Sequence, residues 1–464
     1  MDKSAIHAAT LQARQILTSE IEEMLQGVYG LDSRLKFAKE EKIPVFREMP
    51  ELLLTRRRLK TRLADEQSAG LSRPDAVARL IKEAAFTHLN RLVAFKMMER
   101  RGLIEGTLER YQDSRGFLFY LAEPEHAGDL RLCETGGLAR NALGESPRDV
   151  AYRHFLLHQC RLLSQEVRVL FDPGDLASLL FPRPQKLKAL IELLNRPELE
   201  AAWGEEETVG WIYQYFNEQE KADVFNRLYK KKQKIRPEDI PAATQLFTPR
   251  WIVKFLVQNT LGRQWMQMHP DSRLAAAALD YLVPLAREVP AEKMKPVREI
   301  EVLDPACGTM HFGLVAFDLL AEMYREEMER AGQPGWPERP SAASAEAIPA
   351  AIIANNIFGI DIDLRAVQLS ALALYLKAKG KNPKAQITYS HLACAELRLP
   401  GDEKLEEFLQ SRKFTLPVYE RIIRRLWSVM RGGSGMGAGS LLSLESAITA
   451  EVERERRSHL TSLQ

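Results

Sequence analysis

Residues 300–313, Ile-Glu-Val-Leu-Asp-Pro-Ala-Cys-Gly-Thr-Met-His-Phe-Gly, admit few structures. The apolar run Ile300 to Leu303 stops at an acid, Asp304, turns through Pro305 and Gly308, and enters a helix expected to begin near Thr309. A strand that ends in a glycine turn and feeds a helix is the ligand-site corner of a doubly wound α/β sheet. Gly308 lets the backbone approach a ligand closely, and the free N–H groups at the helix start accept a carboxylate or another anion. A second apolar run, Ile357 to Ile360, ends at Asp361, about where an acid accepts hydrogen bonds from a ribose diol. Asp363 suits the N-cap of a largely buried helix through Ala366, Val367, Leu369, Ala373, Leu374 and Leu376. Both aspartates also fit ordinary strand-end and N-cap duty.

Asp304 discriminates between ligands. A dinucleotide fingerprint sets three glycines against a pyrophosphate, and a carboxylate at this position would repel it. A cationic ligand with an amino-acid tail suits the turn better, and S-adenosylmethionine is one. A nicotinamide-dependent oxidoreductase is disfavoured on the same ground.

Three stretches together carry a family resemblance: Asp304 to Gly313, Gly359-Ile-Asp-Ile-Asp-Leu-Arg-Ala-Val367, and upstream Phe247-Thr-Pro-Arg-Trp-Ile-Val253. They resemble the cofactor motifs of adenine-specific, S-adenosylmethionine-dependent DNA methyltransferases, and among these the large enzymes of BREX-type bacterial phage-exclusion systems. Phe86 to Glu99 and Gly210 to Asn217 are similar to that family's helical amino-terminal region, so the resemblance runs from about residue 80 to about residue 400. It implies an α-helical amino-terminal region followed by an α/β Rossmann-like sheet of the class I methyltransferase kind, incomplete at its carboxyl end. It also implies cofactor contacts from Thr248, Asp304, Ala306, Gly308 and Asp361, DNA as substrate, and other phage-exclusion proteins as partners.

The chain has 464 residues, enough for two or three domains with sizeable cores. The expected division is a mainly helical region over 1–240, a cofactor-binding α/β subdomain over 241–400, and a helical, glycine-containing segment over 401–464. Four unpatterned cysteines, Cys133, Cys160, Cys307 and Cys394, suggest neither a disulfide framework nor a zinc site. Without a signal-peptide core in the first residues or an apolar run of membrane-spanning length, a cytoplasmic protein is expected.

A formal net charge of +2 says little about partners, so clusters matter more. Arg56-Arg57-Arg58 with Lys60 and Arg62, and Lys230-Lys231-Lys232 with Lys234 and Arg236, suit either DNA backbone phosphates or a solvated face. Trp211, Tyr213, Tyr215 and Phe216 are expected in the core, since no cation interleaves with them in sequence. Gly102 is placed to stop the helix through Phe86, Leu89, Val93 and Met97, and Gly116 to Leu121 reads as a short strand.

Thr248 and Pro249 are expected to open a helix as N-cap and first-turn residues. In the resembling enzymes this segment lies beside the methionine end of the cofactor. Residues 271–298 read as one helix interrupted at Pro284 and a loop. The proline-rich stretch 331–341 reads as a surface loop, placed where it can cover the cofactor. A third strand is expected at Gln386 to Tyr389, followed by Ser390, His391 and Leu392 where related enzymes carry the acid or amide that reads the adenine ring. The resemblance therefore assigns no adenine reader.

Enzymes that methylate an exocyclic amine use an Asn/Asp-Pro-Pro-Tyr/Phe segment to hold it, and this sequence contains no Pro-Pro dipeptide. The expectation is an amino-terminal portion of a longer N6-adenine methyltransferase, inactive alone, with its carboxyl-terminal remainder as partner. The alternative is a non-catalytic module that binds cofactor, DNA or a partner subunit in a phage-defence complex.

Overall fold

The computed structural model describes residues 2–395 apart from 138, 237, 238, 246 and 285–292, and beyond them residues 402–411, 417–432, 449 and 453. Two compact units result, residues 1–24 with 83–393 and residues 25–82 with 394–464.

The first unit is mostly helical. Helix α1 (Lys3–Glu23) starts where the Asp2 carboxylate accepts the Ser4 and Ala5 N–H groups, and it buries Ile6, Ala9, Ala13, Leu17 and Ile21 at helical spacing. Helix α2 (Arg73–Arg100), which belongs to this unit from residue 83 on, buries Phe86, Leu89, Val93 and Met97 and ends before Gly102, whose φ of +65° is the left-handed stop expected of it.

The expected strand at Gly116 to Leu121 is instead helix α3 (Arg115–Ala122). A helix puts Phe117, Tyr120 and Leu121 into the core and leaves Leu118 and Phe119 about half exposed. A strand would have divided these residues between two faces. Helix α4 (Pro147–Leu163) opens with a capping box between Ser146 and Asp149. Helix α5 (Thr208–Phe216) buries Tyr213 and Phe216, as expected, whereas Trp211 and Tyr215 are only partly buried and the Lys3 ammonium lies 4.0 Å over the Trp211 ring. It leads into α6 (Glu218–Tyr229).

Helix α7 (Arg250–Val257) precedes the sheet and turns Val253 and Val257 inward. Its N-cap is Pro249 with no side-chain cap, so Thr248 lies one residue outside the capping position expected of it. In 271–298 the described residues carry only a four-residue helix, Leu274–Ala277, and a 3-10 turn, Val297–Glu299; residues 285–292 of the expected helix and loop lie outside the described residues.

Strand β1 (Val302–Asp304) is followed by α8 (His311–Arg330) and α9 (Ile348–Asn355), then by β2 (Ile357–Asp361), α10 (Leu364–Lys381) and β3 (His391–Cys394). The sheet order is β1-β2-β3, and β1 pairs with β2 in parallel, Val302 opposite Ile357 and Asp304 opposite Gly359. Helical crossovers are what a parallel pair requires. The third strand lies five residues later than expected. Ile387 is buried, and its N–H is taken by the Glu166 carboxylate at 3.2 Å rather than by a neighbouring strand.

Residues 331–341 carry no helix or strand, as expected, but they do not cover the turn at the start of α8. They follow the far end of that helix, which at 20 residues is about 30 Å long. There Trp336 is buried with its ring stacked 4.0 Å from that of His269.

In the second unit the helix Leu52–Ser68 buries Leu59, Leu63 and Arg56. Arg56 donates to the Ala38 carbonyl and lies over the rings of Phe37 and Phe46, so it is an internal residue and not part of a solvated basic face. Lys60 pairs with Glu40 and Arg62 with Glu66, which further dilutes that run. Helices Asp402–Ser411 and Pro417–Gly432 follow. Of the expected helical, glycine-containing segment over 401–464, residues 401, 412–416 and, except positions 449 and 453, 433–464 lie outside the described residues.

Candidate cofactor site

The site is built on the corner between β1, β2 and α8. Asp304 ends β1, and its Oδ1 accepts the Ala306 N–H at 3.1 Å, which closes the turn through Pro305. The Cys307 N–H donates to the Ile360 carbonyl at 3.0 Å and ties the turn to β2. Gly308 adopts φ +54°, a left-handed conformation that favours glycine, and nothing lies within 4 Å of where a Cβ would stand. The glycine is therefore favoured by backbone geometry, and the space above it is open.

Met310 is also left-handed, at φ +67°, and α8 begins after it at His311, two residues later than expected. Its fully buried side chain passes beneath the turn. A Cβ on Gly313 would stand 2.2 Å from the Met310 sulfur, and one on Gly359 would stand 2.6 Å from its methyl carbon. These three residues were not singled out as a set by sequence reasoning, although the paired glycines were visible.

Asp361 ends β2 and faces the turn. Its Oδ2 accepts the Gly308 N–H at 2.9 Å and its Oδ1 the Asp363 N–H at 2.8 Å. A carboxylate offers about four acceptor positions, so roughly two remain for a diol. Burial pushes the Asp361 carboxyl above its usual range, against the two backbone donors that lower it. Burial raises Asp304 as well.

Asp363 is used differently. It caps α10 through the Arg365 N–H, accepts the Arg365 guanidinium on both oxygens, and accepts the Tyr213 hydroxyl at 2.8 Å. Arg365 donates onward to Asn217. Burial alone would raise the Asp363 carboxyl, but Arg365 and the hydrogen bonds hold it below its usual range. The pair fastens α5 to the sheet and leaves Asp363 no capacity for a ligand.

Thr248 reaches the site through its neighbours. The Phe247 ring stacks on His311 at 4.5 Å with an interplanar angle of 14°, and the His311 ring lies against the Thr248 backbone. Thr248, Asp304, Ala306, Gly308 and Asp361 thus all belong to one corner of the first unit. Lys230, Lys231 and Lys232 do not; they are exposed at the end of α6 and just beyond it. In β3, His391 stacks on Phe358 at 4.2 Å and bonds to the Ala354 carbonyl. Among the described residues no group of histidines, cysteines and acids is arranged to hold a metal ion, and no helix is long and apolar enough to cross a membrane.

No protein-family model matches the chain. It is 35% identical over 315 residues, 65% of its length, to the adenine-specific methyltransferase BrxX of Escherichia coli O9:H4 (strain HS), covering 24% of that protein. It is 29% identical over an alignment of 496 positions, 97% of its length, to the adenine-specific methyltransferase PglX of Lacticaseibacillus casei (strain Zhang), covering 38% of that protein. The chain thus spans less than two fifths of either relative, and by sequence it is a relative of the BREX-type adenine-specific methyltransferases.

Proposed function

We propose that the chain binds S-adenosylmethionine at the corner formed by Asp304, Ala306, Gly308 and Asp361, as the cofactor-binding part of an N6-adenine DNA methyltransferase of bacterial phage defence. The observation that supports this most is Asp361, a half-buried carboxylate at the end of β2 that faces open space above Gly308 with acceptor positions left over. In this reading Asp361 holds the ribose diol, the backbone from Ala306 to Thr309 holds the amino-acid tail, and Thr248 flanks the methionine end. The cofactor would supply an electrophilic methyl group. The chain's own residues orient it and exclude water from one side.

Transfer to adenine requires an amine held in line with the sulfonium methyl, and positioning of this kind supplies much of the rate. The sequence has no Asn-Pro-Pro-Tyr/Phe segment, so the chain by itself is expected to take up cofactor without turnover. Lys230, Lys231 and Lys232 are the proposed phosphate contacts, with affinity that depends on salt but not on base sequence.

Calorimetric titration with S-adenosylhomocysteine tests the cofactor assignment. Asp361→Ala removes a charge-assisted hydrogen bond worth roughly 1.5–3 kcal/mol, so affinity is expected to fall by about one to two orders of magnitude. Unchanged binding in that variant rejects the ribose assignment, and displacement by NAD at comparable concentration rejects the methyl-donor reading.

A further inference from the structure

His311 is absent from the contacts just assigned, yet its surroundings are built around it. Phe247 is enclosed on three sides. A Cβ on Gly210 would stand 2.5 Å from its Cε2, the Trp211 ring lies 4.9 Å away, and the His311 ring stacks on its remaining face. The same Gly210 Cβ would come within 3.3 Å of the Thr309 hydroxyl, so the cage lies next to the Gly308 turn. Helix α7 has no side-chain cap, and Pro249 brings no N–H of its own. The segment Phe247-Thr248-Pro249 meets the turn through the Phe247 ring stacked on His311 and through the His311 ring against the Thr248 backbone.

We infer that His311 is a positioning residue that clamps the Phe247-Thr248-Pro249 segment onto the first turn of α8. The consequence for ligand affinity rests on the cofactor reading above, because this segment would form the wall at the methionine end; the clamp itself does not.

The clamp is built for a neutral ring. Burial pushes the His311 imidazole below its ordinary value, and Arg250 at the start of α7 adds to this while Glu207 before α5 opposes it. The other charges lining the adjoining cleft are largely paired. Glu206 and Asp318 on α8 both bind Lys377 of α10, at 3.0 and 2.8 Å, and Arg250 lies 3.8 Å from Glu207. The Thr248 backbone, through a hydrogen bond to the ring, also opposes the lowering, so it is burial that keeps the imidazole neutral. Protonation, which for this ring comes only below the ordinary imidazole range of about 6.5, opens the clamp.

Hydrogen exchange at the amides of residues 247–253 in the full chain reads the clamp directly, with or without ligand. In His311→Ala these amides are expected to exchange about two- to tenfold faster than in the wild type, with residues 357–362 unchanged. His311→Phe keeps the stack and is expected to restore protection. In the wild type, protection corrected for intrinsic rate falls between about pH 7.5 and about pH 5.5, whereas in His311→Phe it does not.

Equal protection in folded His311→Ala and wild type overturns the clamp. If the alanine variant does not fold, wild-type protection that is flat across that pH range, or parallel in His311→Phe, overturns it instead. Titration with S-adenosylhomocysteine at both pH values separates the two proposals. Failure of the wild type to bind at either pH rejects the cofactor reading and leaves the exchange result to judge the clamp alone.

Discussion

Three aspartates within sixty positions of one another differ in what their surroundings leave them to do. Asp304 closes its own turn, Asp361 receives two backbone N–H groups and keeps acceptor capacity, and Asp363 is closed in by Arg365 and Tyr213. Substitution should separate them by readout. Asp363→Ala removes the ion-pair partner of the buried Arg365 guanidinium, a loss of about 3–5 kcal/mol in the stability read by urea unfolding. Asp361→Ala should act mainly on ligand affinity, with a smaller stability loss of about 1–3 kcal/mol for the two N–H groups left behind. If both variants lose stability equally and Asp361→Ala binds normally, the division of roles between them is wrong.

At the scale of elements, the β1–β2 pair is covered unevenly. Ile357 and Gly359 on β2 are buried, whereas Leu303 on β1, opposite Phe358, is 58% exposed. Parallel strands are ordinarily buried on both faces, so this exposure singles out one face of β1. Leu303→Asp is expected to change the melting temperature of the chain little, since the side chain already meets solvent. Ile357→Asp, which places a charge in the core, should prevent cooperative unfolding at neutral pH. Gly359→Ala should also destabilise, because its Cβ would meet Met310, Leu392 and Cys307 at 2.6, 2.8 and 3.2 Å. Thermal scans of these variants at one pH check the ordering.

For the molecule as a whole, acid sensitivity should have an identifiable contributor away from the proposed site. His88 on α2 is fully buried against the Leu180 carbonyl at 3.0 Å, and burial, helped by Arg91, lowers it to about 3. A folded value below the ordinary 6.5 means that the unfolded chain binds the proton more readily. The contribution is therefore fully present above pH 6.5 and is lost as the pH falls from there toward about 3. The loss should reach on the order of a few kcal/mol. Unfolding free energies measured from neutral to mildly acidic pH should fall less steeply in His88→Asn than in the wild type, and parallel curves would remove His88 from the account.

Much of the candidate site was legible because its signals are local. A strand ending at Asp304, a left-handed glycine at 308, a second strand ending at Asp361 and a cap at Asp363 each follow from residues a few positions apart, where backbone sterics and capping chemistry act directly. The helix stop at Gly102 was legible for the same reason. What the local pattern did not contain was decided by partners distant in the chain. Asp363 is closed to a ligand by a tyrosine 150 residues away, and Ile387 is kept out of a strand by a glutamate 221 residues away. Arg56, indistinguishable in sequence from Arg57 and Arg58, was drawn inside by two aromatic rings. Residues 116–121 carried strand-like side chains, but only a helix places Phe117 and Tyr120 in the core together. Propensity spans about 1 kcal/mol per residue, whereas burying a large side chain or pairing a buried charge involves several times that, so packing settles what sequence alone leaves open.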